Sequence, residues 1–269
     1  MSAATGGVQP RRRSRLYWAF ADGFVLAKRN LVQIPRIPEL VVFATIQPVM
    51  FVLLFRYVFG GAIDVGGESY VNYLMAGIFV QTVAFGAVST GIGLSEDLHK
   101  GLVDRFRSLP MAHSAVLTGR TIADLVRNLF VVLVMLLVGI LVGFRPEAGL
   151  AGWVAAIGLL LLLSFSFSWI GATIALLLRS TEAVQSAGFI WLFPLTFASS
   201  AFVMTDNMPG PLKAFADNQP MTHVMDAVRG FLLGQPVGSH GWLALAWCVG
   251  ILAIFIPLSV SLYRRVAAR

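Results

Sequence analysis

Apolar residues fall into six long blocks along this chain, and most polar residues are gathered between them. Each block is about 20 residues long, the length a helix needs to cross a hydrocarbon core of roughly 30 Å. The pattern places them at Leu40–Phe59, Val71–Leu94, Ala123–Gly143, Gly152–Leu178, Gln185–Met204 and Trp242–Tyr263. Pro48 predicts a kink in the first block. Gly77, Gly86, Gly91 and Gly93 in the second predict close helix contacts. Ser164, Ser166 and Ser168 in the fourth can bond backbone or line a polar strip. Ahead of the blocks, residues 1–15 are small, polar and basic and predict a disordered tail. Residues 16–36 show helical periodicity: Phe20, Phe24, Ala27, Leu31 and Ile34 share a face opposite Asp22, Arg29 and Gln33. With Tyr17 and Trp18 at headgroup level, this predicts an amphipathic helix in the membrane interface.

Composition agrees: 57% of residues are hydrophobic and 12% charged, with a mean hydropathy of +0.80. The expected fold class is an all-α polytopic membrane protein whose six-span domain covers residues 37–269. Six crossings put both termini on one side. Of the 20 Lys and Arg residues, sixteen fall on that side and four (Arg56, Arg145, Lys213 and Arg229) on the other. The positive-inside rule therefore predicts cytoplasmic termini in a plasma or inner membrane. It also explains the net charge of +7 as topology, so no nucleic-acid partner is expected. A single cysteine, Cys248, excludes a disulfide framework within the chain.

Two interblock stretches are dense in chemistry. Ser95 to Arg120 carries Glu96, Asp97, His99, Lys100, Asp104, Arg105, Arg107, His113 and Arg120. Ser95 reads as an N-cap, with Glu96 and Asp97 in the first turn of a short helix that Pro110 ends. Such a charged helix beneath a membrane domain would serve as a docking knob for a soluble partner. The second stretch, Thr205 to Gly241, is long for a turn and predicts short helices over Pro211–Ala216 and Met221–Leu233. Together these predict a helical hairpin that dips into the outer leaflet or caps the domain outside, with Asp226 and Arg229 as an exposed pair.

The run Leu192, Leu195, Ala198, Ser199, Ala201, then Met208-Pro209, Pro220-Met221, His223 and Arg229, resembles the signature of ABC-2 type permeases. Glu96 through Met111 resembles the matching cytoplasmic loop of the daunorubicin-resistance-like branch, and the likeness spans the chain from about Leu16. It implies a drug or lipid exporter driven by a separate ATPase in two copies and paired with a second permease copy or paralogue. It makes Ser95, Glu96, Asp97, Lys100, Gly101, Asp104, Arg105 and Arg107 the coupling loop. It makes Met208, Pro209, Pro220, Met221, His223, Asp226 and Arg229 the extracellular hairpin.

No lysine follows a glycine, as a phosphate-cradling Walker loop requires: Lys28, Lys100 and Lys213 follow Ala27, His99 and Leu212. ATP and Mg are therefore expected on the partner, and the chain itself is expected to bind no cofactor or metal and carry no catalytic residue. A proton-coupled secondary transporter would need an ionisable group at membrane depth; Arg56, Asp124 and Arg127 read as lying near span ends, and Gln47 and Gln81 do not titrate. A membrane-embedded enzyme would need a constellation that the scattered His99, His113, His223 and His240 do not form. Phe165, Phe167, Trp169, Phe189, Trp191 and Phe193 suit a hydrophobic drug-like or lipid cargo, but packing against lipid or another helix is the better reading for each. A lipid-linked glycan is the alternative cargo.

Overall fold

The computed structural model describes residues 38–61, 63, 69–99, 113–178 and 180–267, all in helices and turns. The predicted tail and interfacial helix, residues 1–36, lie outside the described residues. The helices are α1 (Pro38–Leu54, continued by a π turn Phe55–Phe59), α2 (Tyr70–His99), α3 (His113–Val142), α4 (Leu150–Leu177) and α5 (Thr181–Phe197). After a 3₁₀ turn at Thr205–Asn207 come α6 (Gly210–Asn218), α7 (Pro220–Leu233) and α8 (His240–Ala267). Backbone polar groups in hydrocarbon must be satisfied within the segment, and helices do that.

Among the described residues, four helical stretches are long and apolar enough to cross a membrane: Tyr70–His99, Gly119–Val142, Leu150–Leu177 and His240–Arg265. The two other predicted spans are shorter helices, α1 with Pro48 inside it and α5 with Pro194 inside it. The fifth predicted span ran to Met204, but α5 stops at Phe197. The segment that follows turns on side-chain bonds: Ser199 Oγ donates to the carbonyl of Thr196 and accepts from Ala201 N at 3.2 Å. Ala201 and Phe202 are buried in that turn, so its apolar content reads as span in sequence.

Among these helices α2 is the hub. Its apolar window is 89% buried, against 17% for α8, and it packs on α4, α5, α3 and α7. Small residues allow this. A Cβ on Gly91 would lie 2.9 Å from the carbonyl oxygen of Gly171, so α2 and α4 cross in close backbone contact. The outer helices carry the opposite pattern. On α3, Val126, Phe130, Leu133, Leu137 and Leu141 are exposed at helical spacing, an apolar stripe suited to lipid.

The serines of α4 face inward. Ser164 accepts from Asn128 Nδ2 at 2.7 Å, Ser168 meets Thr90 at 3.2 Å, and Ser166 donates to Leu162 O and Cys248 O. Gly143, at φ +111°, ends α3 in backbone space that side chains rarely enter. Gly234, at φ +66°, ends α7 in the same way.

Candidate functional site

Three polar groups lie along α2: at its His99 end, at its middle and at its Tyr70 end. At the His99 end the sequence expectation fails. Ser95 caps no new helix; α2 runs on without a break to His99, and Ser95 is buried inside it. Apolar packing of Leu94 against the second core cluster carries the helix through the position where a cap was read. Glu96 and Asp97 thus occupy the final turns of α2. Arg120 of α3 donates to Asp97 Oδ2 at 2.7 Å. Gly93 makes this possible, since a Cβ there would collide with the Arg120 guanidinium. Lys100, Gly101, Asp104, Arg105 and Arg107 lie outside the described residues.

A second polar group faces the middle of α2. Asp124 and Arg127 lie inside α3, which starts at His113, and near the start of its apolar stretch Gly119–Val142. Arg127 donates to the carbonyl of Gly86 at 3.3 Å and pairs with Asp124 Oδ1 at 3.2 Å. Asp124 is buried, and its Oδ2 has no hydrogen-bond partner among the described residues. Ionisable groups inside a span are costly and mark function or a path for cargo or ions. A cavity of about 310 Å³ opens beside them, lined by Gln47, Phe51, Gln81, Phe85, Arg127, Asn128, Gln185 and Phe189 among others. The main contacts of α1 are with α3 and α2, and those of α5 with α2 and α4, so the cavity lies over α2 in the gap between α1 and α5.

Phenylalanines close that gap toward the Tyr70 end. Phe85 touches Phe189 and Phe193, with ring centroids 5.9 and 5.7 Å apart, and Phe193 stacks on Phe197 at 5.6 Å. Phe197 meets Phe202, which stacks on Phe55 at 4.2 Å and on Phe51 at 6.2 Å. Such pairs gain about 0.5–1.5 kcal/mol each beyond their buried area. Phe167 and Trp169 are buried core, the packing role that their sequence context also allowed.

At the Tyr70 end the hairpin is not a loose cap. Helix α6 is mostly exposed, but α7 is buried along nearly its whole length, packed on α2, α4 and α8. Its Asp226–Arg229 pair is not an exposed one. Arg229 bonds Asp226 Oδ1 and donates to Ser200 O at 2.8 Å, and its guanidinium sits 3.7 Å over the Tyr73 ring. Ser200 Oγ donates to Asp226 at 2.7 Å, and the hydroxyls of Tyr70 and Tyr73 donate to the carbonyls of Phe202 and Val203. Gln219 caps α7 at Met221 N and donates to Leu195 O at 2.8 Å. Pro220 and Met221 are buried in the first turn, whereas Pro209 is exposed before α6 and Met208 ends the 3₁₀ turn.

His223 Nδ1 lies 3.2 Å from His240 Nδ1, within hydrogen-bond distance, with the tautomers deciding which ring donates. Burial pushes the His223 imidazole below its ordinary value, and His240 beside it acts the same way. Among the described residues no group of three or more His, Cys, Asp or Glu is placed to hold a metal ion.

Sequence reasoning missed the Tyr73–Ser200–Arg229 lock and the cavity. One signal for the cavity was available: Asp124, Arg127 and Asn128 fall at i, i+3 and i+4, a polar strip on one face of an apolar helix.

Residues 22–233 match the family model described as ABC-2 type transporter. The chain is 36% identical over 236 residues to the daunorubicin resistance ABC transporter permease protein DrrB1 of Streptomyces coeruleorubidus, covering 88% of this chain and 83% of that one. It is 30% identical over 233 residues to the probable doxorubicin resistance ABC transporter permease protein DrrC of Mycobacterium tuberculosis, covering 84% and 82%. A more distant likeness, 26% over 212 residues (77% and 72%), is to the putative transport permease ycf38 of Cyanophora paradoxa. A polytopic helical scaffold with a buried central helix, and a matching region that runs through that helix and the hairpin, place this chain in the ABC-2 type transporter family of permeases.

Proposed function

We propose that this chain is the six-span membrane permease subunit of an ATP-driven exporter of a hydrophobic drug-like or lipid molecule. It works with two copies of an ABC ATPase, which hold ATP and Mg, and with a second permease copy or paralogue. Its termini and the His99 end of α2 face the cytoplasm, and the α6–α7 hairpin faces outward. Residues 96–107 form the surface that the ATPase moves.

The observation that carries this reading is the unbroken course of α2. One rigid helix joins the charged turn at Asp97 to Tyr73, which holds Arg229 of the hairpin. Along it, from Tyr73 to Asp97, the rise is about 36 Å at roughly 1.5 Å per residue. A push at the cytoplasmic loop therefore reaches the outer lock without passing through a flexible joint. The family and its drug-resistance relatives support the cargo class.

The test is co-expression with the ATPase and transport into inverted vesicles. Glu96→Arg and Arg105→Glu should abolish co-purification of the ATPase and ATP-dependent uptake while membrane insertion stays normal. Unchanged uptake in both variants would remove the loop from the mechanism.

The buried Asp124–Arg127 pair within the apolar stretch of α3 favours one second reading, proton-coupled transport. A protonophore separates the two: uptake by vesicles supplied with ATP should survive it, and uptake that collapses would select the proton-coupled reading.

A further inference from the structure

We infer that the cavity between α1 and α5 is a ligand site for an aromatic amphiphile whose polar end is an acidic or carbonyl oxygen, with Arg127 setting that preference. The inference rests on the transport reading for its purpose, and on the cavity alone for its chemistry. The cavity, about 310 Å³, is at the lower end of small-molecule sites. Phe51, Phe85 and Phe189 give it three aromatic walls, on α1, α2 and α5. Flat rings gain from offset or edge contacts with such walls, which acyl chains do not.

The charge of the lining sets the polar end. Arg127 is the single ionisable side chain among the described residues that line the cavity. Its other polar groups are neutral amides and hydroxyls, Gln81 and Gln185 among them. A guanidinium has five N–H donors and no acceptor; Gly86 O and Asp124 Oδ1 engage two of its groups. An oxygen acceptor in the cavity would complete its bonding. A ligand cation would meet like charge with no carboxylate on the wall, because Asp124 is not part of the lining. Phenylalanine faces attract cations, but Arg127, only partly neutralised by Asp124, opposes a cation at the same wall.

Photoaffinity labelling tests this with two probes on one benzophenone frame, 4-benzoylbenzoate and a 4-benzoylbenzyl trimethylammonium salt. The full chain is labelled in nanodiscs without ATPase, and modified peptides are mapped by mass spectrometry. The carboxylate should label peptides containing Phe85 and Phe189, and the ammonium salt should label them at least about tenfold less. Arg127→Gln should lower carboxylate labelling by a similar factor. Asp124→Asn should raise it, because the guanidinium is then less neutralised; a merely structural pair would give a loss in both variants. Equal labelling by the ammonium salt, or weaker labelling after Asp124→Asn, would overturn the assignment. Displacement of the carboxylate by phosphatidylglycerol but not by naphthoate would overturn it in favour of a lipid site. Labelling is independent of ATP, so a failure of the exporter reading would leave this result standing, and the reverse also holds.

Discussion

Arg229 shows most directly what a single side chain does here. It is buried, and it joins α7 to the end of α5 and to α2 through Asp226, Ser200 O and Tyr73. Removing one partner of a buried pair leaves the other uncompensated, at about 3–5 kcal/mol. Asp226 retains 24% exposure, which brings the expectation to the low end, about 3 kcal/mol. Arg229→Gln should therefore lower the unfolding midpoint of the solubilised protein sharply, and Arg229→Gln with Asp226→Asn should recover part of the loss. No recovery in the double variant would mean the charge pair is incidental.

His223 gives a second residue-scale expectation. Its folded-state value lies below the ordinary 6.5, so the folded chain favours the neutral ring. That contribution is fully present above 6.5 and is lost as pH falls through the lower folded value. The groups facing it are His240, Asp226 and Asp217, and only the carboxylates pull the other way. The unfolding midpoint should fall on acidification below about 6.5, and His223→Gln should flatten that fall. An identical pH profile in the variant would place the sensitive group elsewhere.

At the scale of elements, α7 behaves as a buried strut, not as a lid lying on the surface. Ser199 Oγ lies 3.5 Å from Met225 Sδ, which joins the α5 turn to the middle of α7 beside the Ser200–Asp226 bond. Ser199→Cys with Met225→Cys, in a Cys248→Ser background, allows this junction to be tied by a bifunctional thiol reagent. If the Phe55–Phe202 closure opens by moving the α5 turn away from α7, the tie should stop export while ATPase association persists. Full export with the tie verified complete would make the junction static.

The helical character of the apolar blocks was legible because lipid-facing stripes and core faces are both apolar, and four of them appear among the described residues as helices long enough to cross a membrane. Boundaries were less so. Residues from His113 to Ile122 include Arg120, whose charge hid a helix that continues because Asp97 pairs with it. Buried Ala201 and Phe202 disguised a turn as span for the opposite reason. Asp124, Arg127 and Asn128 were visible as a strip, but which helix they faced depends on Gly86, where a side chain would displace Asn128. Spacing along one helix carries no information about its neighbour.

For the whole molecule, orientation decides whether α2 transmits from an ATPase or toward one. The sixteen-to-four split of Lys and Arg supports the proposed direction, since basic loops are retained in the cytoplasm. Arg127 and Arg120 now belong to a helix, yet the bias survives their removal because the N-terminal basic block and Arg264, Arg265 and Arg269 remain on the same side. Hairpin and loop must then be reachable from opposite faces. Single cysteines replacing Asp64, Glu147 and Gly210 in the Cys248→Ser background should react with an impermeant maleimide added to intact cells. Those replacing Lys100 and Glu182 should react only after permeabilisation. The position of Glu147 is informative because its backbone N–H bonds Leu232 O at 3.0 Å, fixing the α3–α4 turn to the hairpin end. External labelling at position 100 would invert the molecule and turn the α6–α7 hairpin toward the cytoplasm. In that orientation the hairpin's exposed Leu212 and Phe215 would become the natural docking knob, and the charged end of α2 would lose its proposed partner.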